Sequence, residues 1–278
     1  MSENFGTRLA ERIASRGALC VGLDPSAALM STWGRADTAE GVEFVALHVV
    51  EAVAGVATAV KAQVAYFERF GAAGYRVLER ILAEAHDADL IVVGDAKRGD
   101  IPSTNDGYAR AWLADDAPLR VDAVTVSPYL GVGALVPFVD LAAATGRGVF
   151  VLAATSNDEG RAVQTARTGN GDAVEDVVLG AVAELNRRDD GRGLVGVVWG
   201  ATRDAPAFDL ARLGGPILVP GVGAQGATPH DVARLFARCP RDTVLANVAR
   251  AVSGAGPERR ALSDAAQRWR DDLATALA

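Results

Sequence analysis

Cysteine is nearly absent. The chain of 278 residues has two, Cys20 in an apolar run and Cys239 before a proline. Neither has a CxxC partner, which argues against a zinc site, and both are expected to be unpaired thiols in a reducing compartment. Histidine is scarce as well. His48 and His86 fall within helical patterns and His230 beside a helix start, so structural or surface roles are expected and no metal-ligand set emerges. Positive charge is in deficit: 28 Lys and Arg against 35 Asp and Glu give a formal net charge of -7. That argues against a general nucleic-acid binder, which needs basic patches, but leaves room for a small anion in one local positive pocket. No run reaches the roughly 18 apolar residues of a membrane span. Residues 1–16 are interrupted by Glu3, Arg8, Glu11 and Arg12, unlike a signal peptide, and the expected location is the cytoplasm. No linker divides the chain, so residues 1–278 are expected to form a single domain.

What is present is apolar material in a regular order. Hydrophobic residues make up 50%, enough for a large core. Short runs rich in Val, Ile and Leu read as strands buried on both faces: Ala18–Val21, Ala57–Lys61, Leu90–Asp95, Ala123–Val126, Val149–Ala153, Leu194–Val198, Ile217–Val219 and Val244–Ala246. Helical patterns lie between them, among them Thr38–Val53, Tyr75–Ala85, Thr104–Leu113, Ala134–Ala144, Ala173–Arg188, Pro229–Arg238 and Glu258–Ala276. Strand and helix are expected to alternate eight times. Such alternation implies parallel strands with crossover helices, and the length matches the roughly 250 residues of a (β/α)8 TIM barrel. Thr228 before Pro229 predicts a capped helix start. The polar stretch Asp158–Asp172 has no clear period and reads as a long loop, a candidate lid.

In a barrel the reactive groups belong at the carboxyl ends of the strands. The third strand runs into Gly94-Asp95-Ala96-Lys97-Arg98-Gly99-Asp100. Strand side chains alternate, so Asp95 and Lys97 share a face, and buried charges persist only when paired. Lys61 ends the second strand and would face Asp95 if it points inward. Each also has a plainer reading: Lys61 as a snorkelling strand-end lysine, Asp95 and Lys97 as a structural ion pair. Their meeting in one mouth favours a reactive array over both. Downstream, Val219–Gly226 with Gly221 and Gly223 follows the seventh strand, and Val244–Arg250 with Asn247 follows the eighth. Loops in those positions often bind phosphate, through backbone N–H groups and an arginine fork such as Arg250. Asp24 and Ser156-Asn157 end the first and fifth strands and, taken alone, read as caps or turns.

Asp95-x-Lys97-x-x-Asp100-Ile101, followed by Thr104, resembles the signature of the orotidine 5'-phosphate decarboxylases. Lys61-x-Gln63-x-Ala65-x-Phe67-Glu68 resembles the second-strand motif of the longer bacterial subgroup. Pro220–Gly226, Ala249-Arg250 and Val151–Asn157 resemble the phosphate loops and the base-recognition segment. The similarity extends in order over nearly the whole chain. Ala62 stands where proline is expected, Pro102 where glycine is frequent, and Ala249 where serine or glycine is usual.

The resemblance implies a homodimer of (β/α)8 barrels that converts orotidine 5'-phosphate to UMP and CO2 in pyrimidine biosynthesis, without cofactor or metal. It assigns Lys61, Asp95 and Lys97 to one subunit, with Lys97 protonating C6 of the base. Asp100 and Thr104 would reach into the site of the partner. Asp24 would bind ribose hydroxyls, Ser156 the pyrimidine edge, Gln225 base and phosphate together, and Arg250 the phosphate. Two rivals remain: a magnesium-dependent sugar-phosphate decarboxylase of the same superfamily, whose second strand carries a carboxylate where Lys61 stands, and a non-catalytic nucleotide-binding barrel.

Overall fold

A computed structural model describes residues 4–188 and 193–278. Eight parallel strands close into a barrel in chain order, each paired to the next and the eighth to the first. They are β1 Leu19–Leu23, β2 Ala59–Gln63, β3 Ile91–Arg98, β4 Ala123–Val126, β5 Gly148–Ala154, β6 Val195–Trp199, β7 Ile217–Val222 and β8 Val244–Val248. The helices are α1 Phe5–Arg16, α2 Ala27–Thr32, α3 Ala39–Val53, α4 Ala65–Glu68, α5 Gly71–Asp87, α6 Pro102–Leu113, α7 Val136–Thr145, α8 Arg161–Gln164, α9 Val174–Arg188, α10 Pro229–Leu235, α11 Arg250–Ser253 and α12 Arg259–Leu277. The expected (β/α)8 barrel is present. Among the described residues no helix is long and apolar enough to cross a membrane.

The alternation is incomplete in one place, which corrects the reading of eight equal units. Between β6 and β7 the chain makes only a 3-10 turn, Leu210–Arg212. Pro206 and the Gly214-Gly215-Pro216 run remove the backbone donors and conformational stiffness that a helix needs. The connection is instead tied to α9. Arg203 forms a buried ion pair with Glu175 at 2.6 Å, and the Phe208 N–H donates to Asp176 at 2.9 Å. The stretch Asp158–Asp172 is likewise more than a loop, because it holds a 3-10 turn at Asp158–Gly160 and the single turn of α8.

Period-two alternation sorts the barrel into two cores. Outward-facing strand residues pack beneath the surrounding helices. Inward-facing Cys20, Ala59, Ile91, Val93, Ala123, Phe150, Val198, Leu218 and Leu245 fill the interior. Helix α1 closes the interior from below with Phe5, Leu9 and Ile13, spaced at four residues on one face. Its Asn4 cap accepts from the Gly6 N–H at 2.9 Å. Phe5 meets Phe150 edge-on at 5.9 Å, and a Cβ at Gly148 would overlap the Phe5 ring. Arg12 and Arg16 bond Asp89, and Arg8 bonds Asp122 at 2.8 Å, so the plug is pinned to the barrel floor at its edge. Helix α10 starts as the sequence predicts, with Pro229 in its first turn and a reciprocal cap between Thr228 and Asp231. Cys20 and Cys239 are both free, and burial pushes the Cys20 thiol up to about 12.

Candidate active site

The alternation that places Cys20, Ala59 and Val93 inside continues upward. One step on, the same faces carry Lys61 on β2, Asp95 on β3, Thr125 on β4, Leu152 on β5 and Asn247 on β8. Most of these line a cavity of about 270 Å³ at the carboxyl ends of the strands, with apolar walls from Leu152, Val198 and Leu218. Charged side chains therefore sit directly on the apolar interior, where a lone charge would be costly.

The charges are paired. Asp95 is 8% exposed and Lys61 4%. Lys61 Nζ donates to Asp95 Oδ2 at 2.8 Å, and Lys97 Nζ donates to Asp95 Oδ1 at 2.7 Å. Lys61 also donates to Gln63 Oε1 at 3.0 Å and stands 3.9 Å from Asp24. Burial works against ionisation of Asp95, but the two ammonium groups outweigh it and hold the carboxyl well below the usual carboxylate range. Burial likewise pulls Lys61 down, and Asp95 with Asp24 outweighs it, leaving the ammonium above its ordinary value. Both groups are thus charged across the neutral range. Lys97 differs in exposure: its side chain is 43% exposed and lines the cavity.

The backbone that sets Lys97 in place is unusual. Lys97 has φ +48°, one of two non-glycine residues with positive φ among those described. The register of β3 on β4 slips there, since Gly94 pairs with Val124 and Arg98 with Val126. The bulge lies where Asp95 and Lys97 reach the cavity, and bulges are common near reactive sites.

Around this array lie the other residues singled out in the sequence. Asp24, Ser156, Gly221, Gln225, Asn247 and Arg250 all line the cavity. Asn247 is a barrel-interior residue of β8, 6% exposed, and not part of a loop as its place in the sequence had indicated. Its Oδ1, and Oδ1 of Asp24, are buried without a hydrogen-bond partner among the described residues. Gly221 has φ +97°, and a Cβ there would press on Gln225 and Ser156. Gly223 does not line the cavity. Its N–H donates to the Ala227 carbonyl at 2.8 Å, and it packs against Trp269. Its φ of +81° shapes the turn, while its amide is already engaged. Arg250 is exposed at the rim beside Ala224. The three histidines stay outside the cavity lining, as expected.

Asp100 and Thr104 do not line this cavity either. Both stand on the segment that leaves β3 and opens α6. Buried Asn105 holds the segment, donating to the Asp100 carbonyl at 2.6 Å and the Ala134 carbonyl at 2.7 Å, and accepting from the Asp100 N–H at 2.9 Å. Thr104 is exposed, as are Ile101 on the same segment and Tyr129, Leu130 and Val136 on the connection from β4 into α7; Tyr129 reaches 83%.

Sequence reasoning missed Gln63 as a cavity residue, Thr125 and Asn105. Counting by two from the buried Ala123 would have pointed Thr125 inward. Gln63 follows from Lys61 by the same count. Nothing local distinguishes Asn105 from an exposed helix residue.

Three comparisons bear on this site. A sequence-family model described as Orotidine 5'-phosphate decarboxylase / HUMPS family matches residues 17–265. A Salinispora arenicola protein named orotidine 5'-phosphate decarboxylase is 49% identical over 275 residues, 99% of each chain. One of that name from Streptomyces coelicolor is 48% identical over 276 residues, again 99% of each. A crystal structure titled as a putative orotidine 5'-phosphate decarboxylase from Streptomyces avermitilis superimposes with a TM-score of 0.95 at 46% identity. The match covers 99% of this chain and 96% of that one. The chain belongs to the orotidine 5'-phosphate decarboxylase / HUMPS family.

Proposed function

We propose that this protein decarboxylates orotidine 5'-phosphate to UMP and CO2. The observation that carries the reading is the Asp95 carboxylate held between two ammonium groups at the foot of a cavity that also offers a rim arginine. Loss of CO2 from C6 leaves an electron pair on a carbon that has no ring carbonyl adjacent to it. Stabilising that charge calls for a fixed cation, and completing the reaction calls for a proton. Lys97 supplies both: its Nζ faces the cavity, and it transfers a proton to C6 as UMP forms. Asp95 fixes the direction of Lys97, and Lys61 keeps Asp95 ionised. The apolar walls leave few waters to compete for the carbanion.

The nucleotide lies with its phosphate toward Gly221, Gln225 and Arg250. The pyrimidine edge meets Ser156, and the ribose hydroxyls meet Asp24. The unpartnered acceptor on Asp24 suits a hydroxyl donor. Phosphate binding far from C6 contributes energy that organises the site. We further propose a homodimer. Asp100 and Thr104 lie outside the cavity of their own chain, on a segment that Asn105 ties to Ala134; Ile101 on it, and Tyr129, Leu130 and Val136 in the stretch around Ala134, are exposed. A second copy packed there would bury those side chains and bring Asp100 to the partner's mouth. A cytoplasmic location fits the free thiols.

Purified protein mixed with orotidylate and a metal chelator should bleach the orotidylate absorbance and yield UMP. Lys97→Ala should lose this activity while still binding UMP. No turnover by the unaltered protein would overturn the reading, and so would full turnover by the alanine variant. Orotidylate turnover that disappears with chelator would overturn the metal-free reading.

A further inference from the structure

The bulge at the reactive end of β3 sets three residues, Asp95, Ala96 and Lys97, against one residue of β4, Thr125. A bulge of this kind leaves backbone groups without ladder partners. The Lys97 N–H is one of them, and it donates to Thr125 Oγ1 at 3.0 Å. Because that oxygen accepts from the amide, its own proton is free to point elsewhere. It goes to Asp95 Oδ1 at 2.8 Å, the same oxygen that receives Lys97 Nζ. Thr125 is fully buried and does not line the cavity, so it reaches no ligand.

We infer that Thr125 is a positioning residue for the reaction: one hydroxyl fixes the backbone of Lys97 at its left-handed φ and the carboxylate that aims the same lysine. Lys97 is then held at both ends, by its amide and by its ammonium, through Thr125 and Asp95. A side chain with four freely rotating bonds would otherwise sample directions in which Nζ misses C6. Threonine suits the place twice, since its methyl fills the barrel wall and its β-branch limits χ1. Valine would keep both of those features but neither hydrogen bond. It would also leave a buried amide unpaired.

This inference rests on the decarboxylase reading, and the two fail differently. The unaltered protein must first turn over orotidylate; if it does not, that reading fails and not the placement of Thr125. Given turnover, Thr125→Val is expected to lower kcat by about 10- to 100-fold, the range for a hydrogen bond to a charged group. KM for orotidylate and Kd for UMP should stay within about twofold, since the phosphate and ribose contacts are untouched. Thr125→Ser, which retains the hydroxyl, should recover most of kcat. Should the valine protein not fold, Thr125→Cys, of serine's shape but a weak donor, carries the same expectation. The inference is overturned if the variant lacking the hydroxyl keeps kcat within about twofold. It is equally overturned if KM and UMP affinity degrade along with kcat, or if serine is as impaired as valine.

Discussion

Asp95 meets more donors than any other side chain in the cavity: two ammonium groups and a threonine hydroxyl share its two oxygens. Removing one member of such a buried set exposes the rest to desolvation without compensation, so the set behaves as a unit. Its response to pH has a definite sign. Burial opposes ionisation of Asp95, but the lysines hold its folded-state pKa below the unfolded value near ~3.9. A depressed carboxylate contributes stability that is complete above the unfolded pKa and is lost as pH falls through it toward the folded value. Urea unfolding midpoints should therefore fall steadily from pH 5 to pH 3, and Asp95→Asn should flatten that part of the curve. An equal slope in the two proteins would show that other carboxylates carry the acid sensitivity. The same residues show where sequence reading works. Lys61, Asp95 and Lys97 were legible because a charge at the end of an apolar strand is conspicuous. Thr125 and Gln63 point inward only by counting along the strand, because a hydroxyl or an amide is not conspicuous as a charge is.

At the level of elements, boundaries drifted where function begins. Strand β4, buried throughout, has the bounds its sequence predicts. Strands β3 and β7 run three residues beyond theirs, to Arg98 and Val222, because Gly94-Asp95 and Pro220-Gly221 interrupt their apolar runs. Those residue types signal turns, yet here barrel hydrogen bonding and a bulge keep them in the sheet. Helix α1 has no counterpart among the predicted helices although Phe5, Leu9 and Ile13 share a face, because Arg8, Glu11 and Arg12 interrupt its apolar pattern. Its value to the fold is measurable. Gly148→Val would place a branched side chain where the Phe5 ring lies. The expected cost is about 1–3 kcal/mol from overpacking, seen as a lower urea midpoint. Phe5→Ala in the same background should return part of that loss, because the two side chains compete for one volume. A valine variant as stable as the parent would mean that α1 is not held against Gly148 in solution.

For the whole molecule, closure of the barrel was legible from the count of strands, since eight parallel runs in this length leave few other arrangements. The missing helix between β6 and β7 was not, because one irregular connection among eight barely changes the overall period. Assembly is the larger matter at this scale. If Asp100 serves the neighbouring chain, inactive Lys97→Ala and inactive Asp100→Ala proteins should restore activity when their subunits exchange. Half of the dimers formed at random are mixed, and each mixed dimer carries one intact site of two, so about one quarter of the parent activity should return. No return, with subunit exchange demonstrated, would place Asp100 outside the partner's site.

The plug formed by α1 governs traffic as well as stability. With Phe5, Leu9 and Ile13 sealing the floor and the inward side chains filling the middle, the barrel is a blind well and not a conduit. Nucleotide and gas share one doorway. If the nucleotide lies as proposed, carbon dioxide formed at the foot of the well has to slip past the ribose or wait for the nucleotide to go. In the second case, whatever loosens the proposed grip of Arg250 on the phosphate would time the departure of both.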